Sequence, residues 1–179
     1  SDPLLFDTDG DNLSDGVELG LSAPMGSDTD PASFEADAHP ASRTNPLSTD
    51  SDGDGLDDDI EDPNWNGSWE PNLLETDASV ADTDGDGLED GEEDLDGDGA
   101  PDDLETDPLD SDTDNDGLSD GEERLGPDGM PSTGDETLPY DADSDDDILS
   151  DGEELNLGLL PWDPDTDQDG LPDGLELGR

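Results

Sequence analysis

A twelve-residue pattern, with carboxylates at positions 1, 3, 5, 9 and 12, recurs in fixed phase along this chain. It starts at Asp7, Asp50, Asp82, Asp94, Asp112, Asp143 and Asp165, and the first copy reads D-T-D-G-D-N-L-S-D-G-V-E. All seven copies fill all five positions with Asp or Glu, and position 12 is always Glu. Carboxylates at this density oppose compaction, because two unit charges 4 Å apart repel by on the order of 1 kcal/mol even in water. Little else in the chain counters that repulsion. It has 59 acidic residues, a net charge of −56, no lysine, and only Arg43, Arg124 and Arg179 as cations. Hydrophobic residues make up 25 % and aromatics 3 %, so a conventional apolar core is not expected. No cysteine is present to staple the chain in place of a core. The same charge excludes nucleic acid and anionic membrane surfaces as partners, since both require clustered Lys and Arg. No apolar run approaches the length of about 18 residues that membrane insertion needs. The first residues are polar, with no visible signal peptide, as a mature product or excised fragment would begin.

An acidic disordered tail would show no fixed phase for its other residues. Here position 6 is Gly in five copies, with Asn12 and Ile148 in the other two, and position 7 is Leu in six, with Ala100 in the fourth. The spacing fits the calcium loop D-x-[DN]-x-[DN]-G-x5-E. Ca²⁺ is a hard cation that takes roughly six to eight oxygens. Alternate residues 1, 3 and 5 of a tightly wound loop aim three carboxylates inward, and a turn-permitting residue follows at 6. The position-7 carbonyl then faces the ion, position 9 adds a ligand directly or through water, and Glu at 12 reaches back.

The candidate ligands of the first copy are therefore Asp7, Asp9, Asp11, Leu13, Asp15 and Glu18, and of the second Asp50, Asp52, Asp54, Leu56, Asp58 and Glu61. The third offers Asp82, Asp84, Asp86, Leu88, Asp90 and Glu93, and the fourth Asp94, Asp96, Asp98, Ala100, Asp102 and Glu105. The fifth offers Asp112, Asp114, Asp116, Leu118, Asp120 and Glu123. The sixth has Asp143, Asp145, Asp147, Leu149, Asp151 and Glu154, and the seventh Asp165, Asp167, Asp169, Leu171, Asp173 and Glu176. A weakened eighth loop follows the second copy, with Asp62, Asn64, Asn66, Gly67 and Glu70 in register and a closing E-T-D at 75–77. A fainter remnant follows the fifth copy at Asp128. With one histidine and no cysteine, transition metals lack their usual ligands, and Mg²⁺ prefers a smaller, more rigid octahedron.

Paired helices of an EF-hand are not expected. Pro stands four residues before the motif at Pro3, Pro46, Pro108, Pro139 and Pro161, with Ala78 before the third copy. These X-Pro steps favour extended or turn backbone. The copies at 82 and 94 abut, leaving no room for an intervening helix. A single helical turn, from position 9 to about two residues past position 12, is the most that the pattern predicts. Asn12 tolerates a left-handed backbone, whereas Ile148 does not, so altered loop geometry is expected in the sixth copy. Trp65 and Trp69 are expected to plug the eighth loop where ligands are missing, and Tyr140 and Trp162 to pack ahead of their motifs.

The motif D-P-L-x-x-D-T-D-x-D-G-L-S-D-G-E-E resembles the thrombospondin type 3 repeat in its bacterial form. Asp107 to Glu123 matches nearly throughout, and Asp2 to Glu18 and Asn45 to Glu61 match closely. The resemblance implies repeats wrapped around a line of calcium ions, ligated by positions 1, 3, 5, 9 and 12 and by the position-7 carbonyl. It also implies little regular secondary structure. Animal members carry disulfides, and this chain has none.

The expected fold class is thus an irregular, elongated, calcium-organised tandem array with isolated helical turns. It is read as one continuous array over 1–179, with units at about 1–18, 19–49, 50–81, 82–111, 112–142, 143–164 and 165–179. The 19–49 stretch is an insertion or a decayed repeat. At least seven Ca²⁺ ions are expected, which would bring the charge from −56 to −42. The expected role is an extracellular or cell-surface spacer, stalk, adhesin segment or filament, and the alternative is a soluble calcium buffer or mineral-interacting protein. The two ends are in repeat phase, so continuation in a longer chain or head-to-tail self-association is expected. No enzyme is expected, since His39 stands alone in A-H-P-A-S. Calcium should compact the chain while adding little helix or sheet. Circular dichroism and X-ray scattering with and without EDTA check this, and an unchanged hydrodynamic radius would contradict it.

Overall fold

The computed structural model describes residues 6–23, 43–102 and 104–178. Expectations for Pro3, His39 and most of the 19–49 stretch lie outside these residues. Each motif copy starts as a tight loop, and six of the seven end in a helical turn that begins at position 9. These turns are α1 (Asp15–Glu18), α2 (Asp58–Glu61), α3 (Asp90–Glu93), α4 (Asp120–Leu125), α5 (Asp151–Leu157) and α6 (Asp173–Glu176). A 3-10 turn covers Pro71–Leu73, and no strand occurs among the described residues. Position 8 supplies the cap where it is serine: Ser14, Ser119 and Ser150 accept from the backbone N–H three residues on. At α4 the bond is reciprocated by Glu122, which completes a capping box. Gly126 and Gly158 end the two longest turns.

Two left-handed residues wind each loop. Position 4 has φ between 61° and 90° in all seven copies, and position 6 between 78° and 108°. Position 6 includes Asn12 at 81° and Ile148 at 89°. The altered geometry expected of the sixth copy is therefore not found. Its Ile148 N–H donates to Asp143 Oδ2 at 2.9 Å, as Gly170 N–H does to Asp165 Oδ2 at 2.8 Å. The surrounding bonds over-determine the loop, and the isoleucine bears the strain with its side chain 61 % exposed. The eighth loop is wound in the same way, with Trp65 at 59° and Gly67 at 71°.

The described chain forms two compact units. The first is Ser1–Thr83 with Glu89–Pro101, and the second is Asp84–Leu88 with Asp102–Arg179. Within each unit, one copy's position 10 abuts another copy's position 5. In the first, a Cβ on Gly91 would lie 2.5 Å from the Asp54 carbonyl oxygen. In the second, Gly121 meets the Asp86 carbonyl and Gly152 the Asp116 carbonyl, each at 2.5 Å, and Gly174 meets that of Asp147. The glycine N–H also bonds the same aspartate's side chain, at 2.6 Å for Gly121 to Asp86 and 2.8 Å for Gly174 to Asp147. Position 10 of the second copy is Asp59, and there Asn12 Nδ2 donates to Asp59 Oδ2 at 2.6 Å. The fourth copy flanks this arrangement, with Gly99 set against Ile60.

The position-7 leucines are not buried alike. Leu13, Leu56, Leu88 and Leu149 are buried together with Val17, Leu118 is half-buried, and Leu171 and Ala100 are exposed. Five buried hydrophobic residues stand against seventeen buried aspartates and glutamates among the described residues. The interior is therefore built of carboxylates.

Two substitutions test this packing. Ile148→Gly should raise the midpoint of thermal unfolding in calcium, because it relieves about 1 kcal/mol of left-handed strain at an exposed site. Gly121→Ala should lower it, at a cost of about 1–3 kcal/mol in stability, through overpacking against the Asp86 carbonyl. Calorimetric melting of both variants checks the two signs.

Candidate metal centres

The loops are closed by their own hydrogen bonds. The position-9 N–H donates to the carbonyl just before the motif in six copies, as in Asp58 to Thr49 at 2.7 Å and Asp120 to Ser111 at 3.3 Å. The position-9 carboxylate turns back on the residue at position 2. Asp58 accepts from Ser51 N–H at 2.8 Å and Oγ at 2.7 Å, and Asp120 from Thr113 N–H at 2.9 Å and Oγ1 at 2.7 Å. Asp15, Asp90 and Asp151 are held in the same way by Thr8, Thr83 and Ser144. The position-2 hydroxyl in turn accepts from the residue preceding Pro or Ala78. Asn45, Asp77, Asp107, Leu138 and Leu160 each donate a backbone N–H to it at 2.7–3.0 Å. The recurrent X-Pro step thus folds back onto the loop that it precedes. Position 1 accepts N–H groups from further along its own loop, as in Asp94 from Gly97 at 2.8 Å and Gly99 at 2.7 Å. Position 5 accepts from position 7, as in Asp54 from Leu56 at 2.8 Å.

What these bonds leave over is a set of inward oxygens. Both carboxylate oxygens of Asp9, Glu18 and Glu154 are buried with no hydrogen-bond donor, as is one oxygen each of Asp52, Asp114 and Asp145. Positions 1, 3 and 5 converge in Asp7, Asp9 and Asp11, and again in Asp50, Asp52 and Asp54, with one oxygen of each residue within 4.8 Å of the others. A second kind of group joins two copies. Asp11 and Glu18 meet Asp58, and Asp54 and Glu61 meet Asp90, within the same distance and with all members buried. Position 9 therefore faces positions 5 and 12 of another copy, rather than completing only its own loop.

Burial and mutual repulsion hold these acids far above the usual carboxylate range. Burial first, then Asp9 and Asp11, raises Glu18 to about 8. Burial, with Asp52 and Asp54, raises Glu61 to about 9. Burial and Asp114 raise Glu123 to about 9, and burial with Asp145 and Asp147 raises Glu154 to about 8. Asp11 reaches about 7, and Asp58 and Asp90 about 6, with burial as the leading cause in each. Unpaired buried carboxylates need either a proton or a cation. All the converging donors are hard oxygens, so the groups fit Ca²⁺.

The copies are unequal. In the third, Asp82, Asp90 and Glu93 belong to the first unit and Asp84, Asp86 and Leu88 to the second. In the fourth, Asp94 and Glu105 are buried, whereas Asp96, Asp98 and Asp102 are exposed, and no helical turn occurs among its described residues. In the seventh, Asp173 is buried, and Asp167, Asp169 and Glu176 are exposed. In the eighth loop, Asp62 accepts from Gly67 N–H at 2.6 Å. Its Asn64 and Asn66 amides both donate to Glu70 Oε2 at 3.2 Å, and Asn64 also donates to Glu75. Trp65 and Trp69 do not plug this loop, being 52 % and 45 % exposed, because the amide–carboxylate bonds already fill it. Trp69 Nε1 instead donates to the Glu75 carbonyl at 2.8 Å. Asp128 is exposed and accepts only a local bond from Met130 N–H at 2.8 Å. Tyr140 is 38 % exposed, and Trp162 is half-buried beside Pro161.

Residues 82–95, 112–125 and 165–177 match the family described as the bacterial TSP3 repeat. The chain thus carries repeats of this family, without cysteine. TSP3 repeats are calcium-binding, and the acidic groups described above are compatible with Ca²⁺. No curated protein and no solved structure matches the chain. Among the described residues, no helix is long and apolar enough to cross a membrane.

A pH dependence follows. The closed metal-free fold keeps protons that an open chain, with ordinary carboxylates, would release. Its stability is therefore fully present below the ordinary carboxylate range and is lost as pH rises through the raised values of about 6–9. In EDTA the chain should be more compact at pH 5 than at pH 9, and saturating Ca²⁺ should remove the difference. Dynamic light scattering across this window checks it.

Proposed function

We propose that this chain is a calcium-organised structural region, serving as an extracellular or cell-surface spacer, stalk, adhesin segment or filament. One observation carries the reading: buried carboxylate groups, with oxygens that no donor satisfies, stand where a domain of this size would place its core. Ca²⁺ supplies the countercharge when bound. Positions 1, 3 and 5, the position-7 carbonyl and Glu at 12 hold an ion within each loop. Position 9 joins positions 5 and 12 of the adjoining copy, so that an ion there clamps two repeats together. Metal affinity then becomes folding free energy and stiffness. On the order of millimolar calcium saturates extracellular modules of this kind, which supports a location outside the cell. In the seventh copy Leu171, Leu175 and Leu177 are each more than half exposed, whereas the position-7 leucines of four other copies are buried. A further repeat, continuing the chain or from a second copy of it, would seat there. No catalytic role is proposed.

The second reading is a soluble high-capacity calcium buffer or mineral-interacting protein, favoured by the exposed carboxylates of the fourth and seventh copies. Calorimetry separates the two. A structural array should take up a discrete number of ions, at least seven, with the last steps accompanied by compaction. Dozens of weak ions with no change in size would support the buffer. Negative-stain images in calcium should show extended particles, and globular ones would contradict a spacer.

A further inference from the structure

We propose that Thr76 and Thr137 are positioning residues that divide the ion sites into two coordination classes. The inference rests on the calcium reading given above and deepens it. Four glutamates at motif position 12, Glu18, Glu61, Glu123 and Glu154, are 2 %, 1 %, 1 % and 0 % exposed. Chemically they are the same group in the same register, yet their oxygens are engaged differently. Thr76 Oγ1 donates to Glu61 Oε1 at 2.9 Å, and Thr137 Oγ1 donates to Glu123 Oε1 at 2.9 Å. In both residues Oε2 is buried and has no donor. Among the described residues, Glu18 and Glu154 have no such hydroxyl, and both of their oxygens are buried without a donor.

The difference follows from the chain. Copies two and five are each followed by a second, degenerate loop, and the residue closing that loop returns a threonine to the preceding glutamate. Thr137 N–H also donates to the Glu123 carbonyl at 3.3 Å, so this return is held by backbone as well. The sixth copy runs through α5 into Gly158 and receives no such segment. A hydroxyl bond fixes the rotation of a buried carboxylate and aims one oxygen away from the ion. The tethered sites therefore present one oxygen from position 12, and the untethered sites present two. Ca²⁺ accepts the larger oxygen set and its irregular geometry, whereas Mg²⁺ demands six ligands in a near-ideal octahedron. Sites with one oxygen from position 12 should discriminate less strongly against Mg²⁺.

The test uses the full chain. Ca²⁺ is titrated calorimetrically with and without Mg²⁺, and infrared spectra of ¹³C-carboxylate-labelled glutamate are recorded in saturating Ca²⁺. Wild type should show two infrared populations, and a subset of sites weakened by Mg²⁺ about tenfold more than the rest. Thr76→Val with Thr137→Val should move that subset into the Mg²⁺-resistant class and merge the infrared bands, whereas Thr→Ser at both positions should keep the wild-type pattern. One infrared population with uniform Mg²⁺ competition in wild type would overturn the proposal, and this comparison needs no variant to fold. An unchanged Mg²⁺-sensitive subset in a folded valine variant would overturn it as well. No Ca²⁺ binding at all would overturn both this proposal and the function on which it rests.

Discussion

Like charge buried against like charge is the constraint on which the rest of this structure depends. Glu61 lies with Asp54 and Asp90, and Glu18 with Asp11 and Asp58, in groups of three buried carboxylates. Three arginines cannot neutralise 59 acids, so the countercharge must come from solvent. Hydrophobic burial at about 25 cal/mol per Å² could not offset this repulsion with five buried apolar side chains. On the proposed function the fold is conditional: the residues that destabilise it alone are those that a bound ion would stabilise.

The backbone is nevertheless arranged before any ion enters. The position-9 aspartate ties position 2 to the start of the helical turn, and the position-2 hydroxyl receives the N–H that precedes the X-Pro step. This relay leaves at least one buried oxygen of Asp9, Asp52, Asp114 and Asp145 at position 3, and of Glu18, Glu61, Glu123 and Glu154 at position 12, without a donor. Ordering is local, carried by contacts a few residues apart. What joins one copy to the next is narrower: a glycine N–H on a neighbouring aspartate, and a shared group of three carboxylates. On the proposed function, ions bound in such groups would couple repeat to repeat and turn many small loops into a cooperative region.

The recurring acids of the loops were legible in the sequence because they stand at a fixed spacing in all seven copies. Two other positions were equally regular but carried no obvious chemistry. Position 2 is Ser or Thr in six copies, and position 10 is Gly in five. Their roles depend on contacts to a remote carboxylate and to another copy's carbonyl, which periodicity alone does not reveal. The fourth copy shows that the signal was present. It has Leu95 at position 2 and Asp103 at position 10, forms no helical turn among its described residues, and exposes three of its five motif acids. Ile148 misled in the opposite direction. Residue preference argued against a left-handed backbone there, but the Asp143 and Asp147 bonds hold the loop regardless.

The eighth loop shows that the winding does not itself require five acids. It keeps the left-handed pair at Trp65 and Gly67 and the position-1 acceptor Asp62, but replaces the carboxylates at positions 3 and 5 with Asn64 and Asn66. Amides donate, so Glu70 and Glu75 find protein partners inside the loop, although Glu70 still repels Glu75 and one Glu75 oxygen is buried without a donor. The loop thus removes two charges and adds donors, which is the opposite of what its neighbours do. Winding comes from the left-handed pair and the position-1 acceptor, which both kinds of loop share. On the proposed function, the demand for a cation comes chiefly from positions 3 and 5, where they differ. Because these two properties reside in different residues, repeat number and calcium demand can vary separately along one chain.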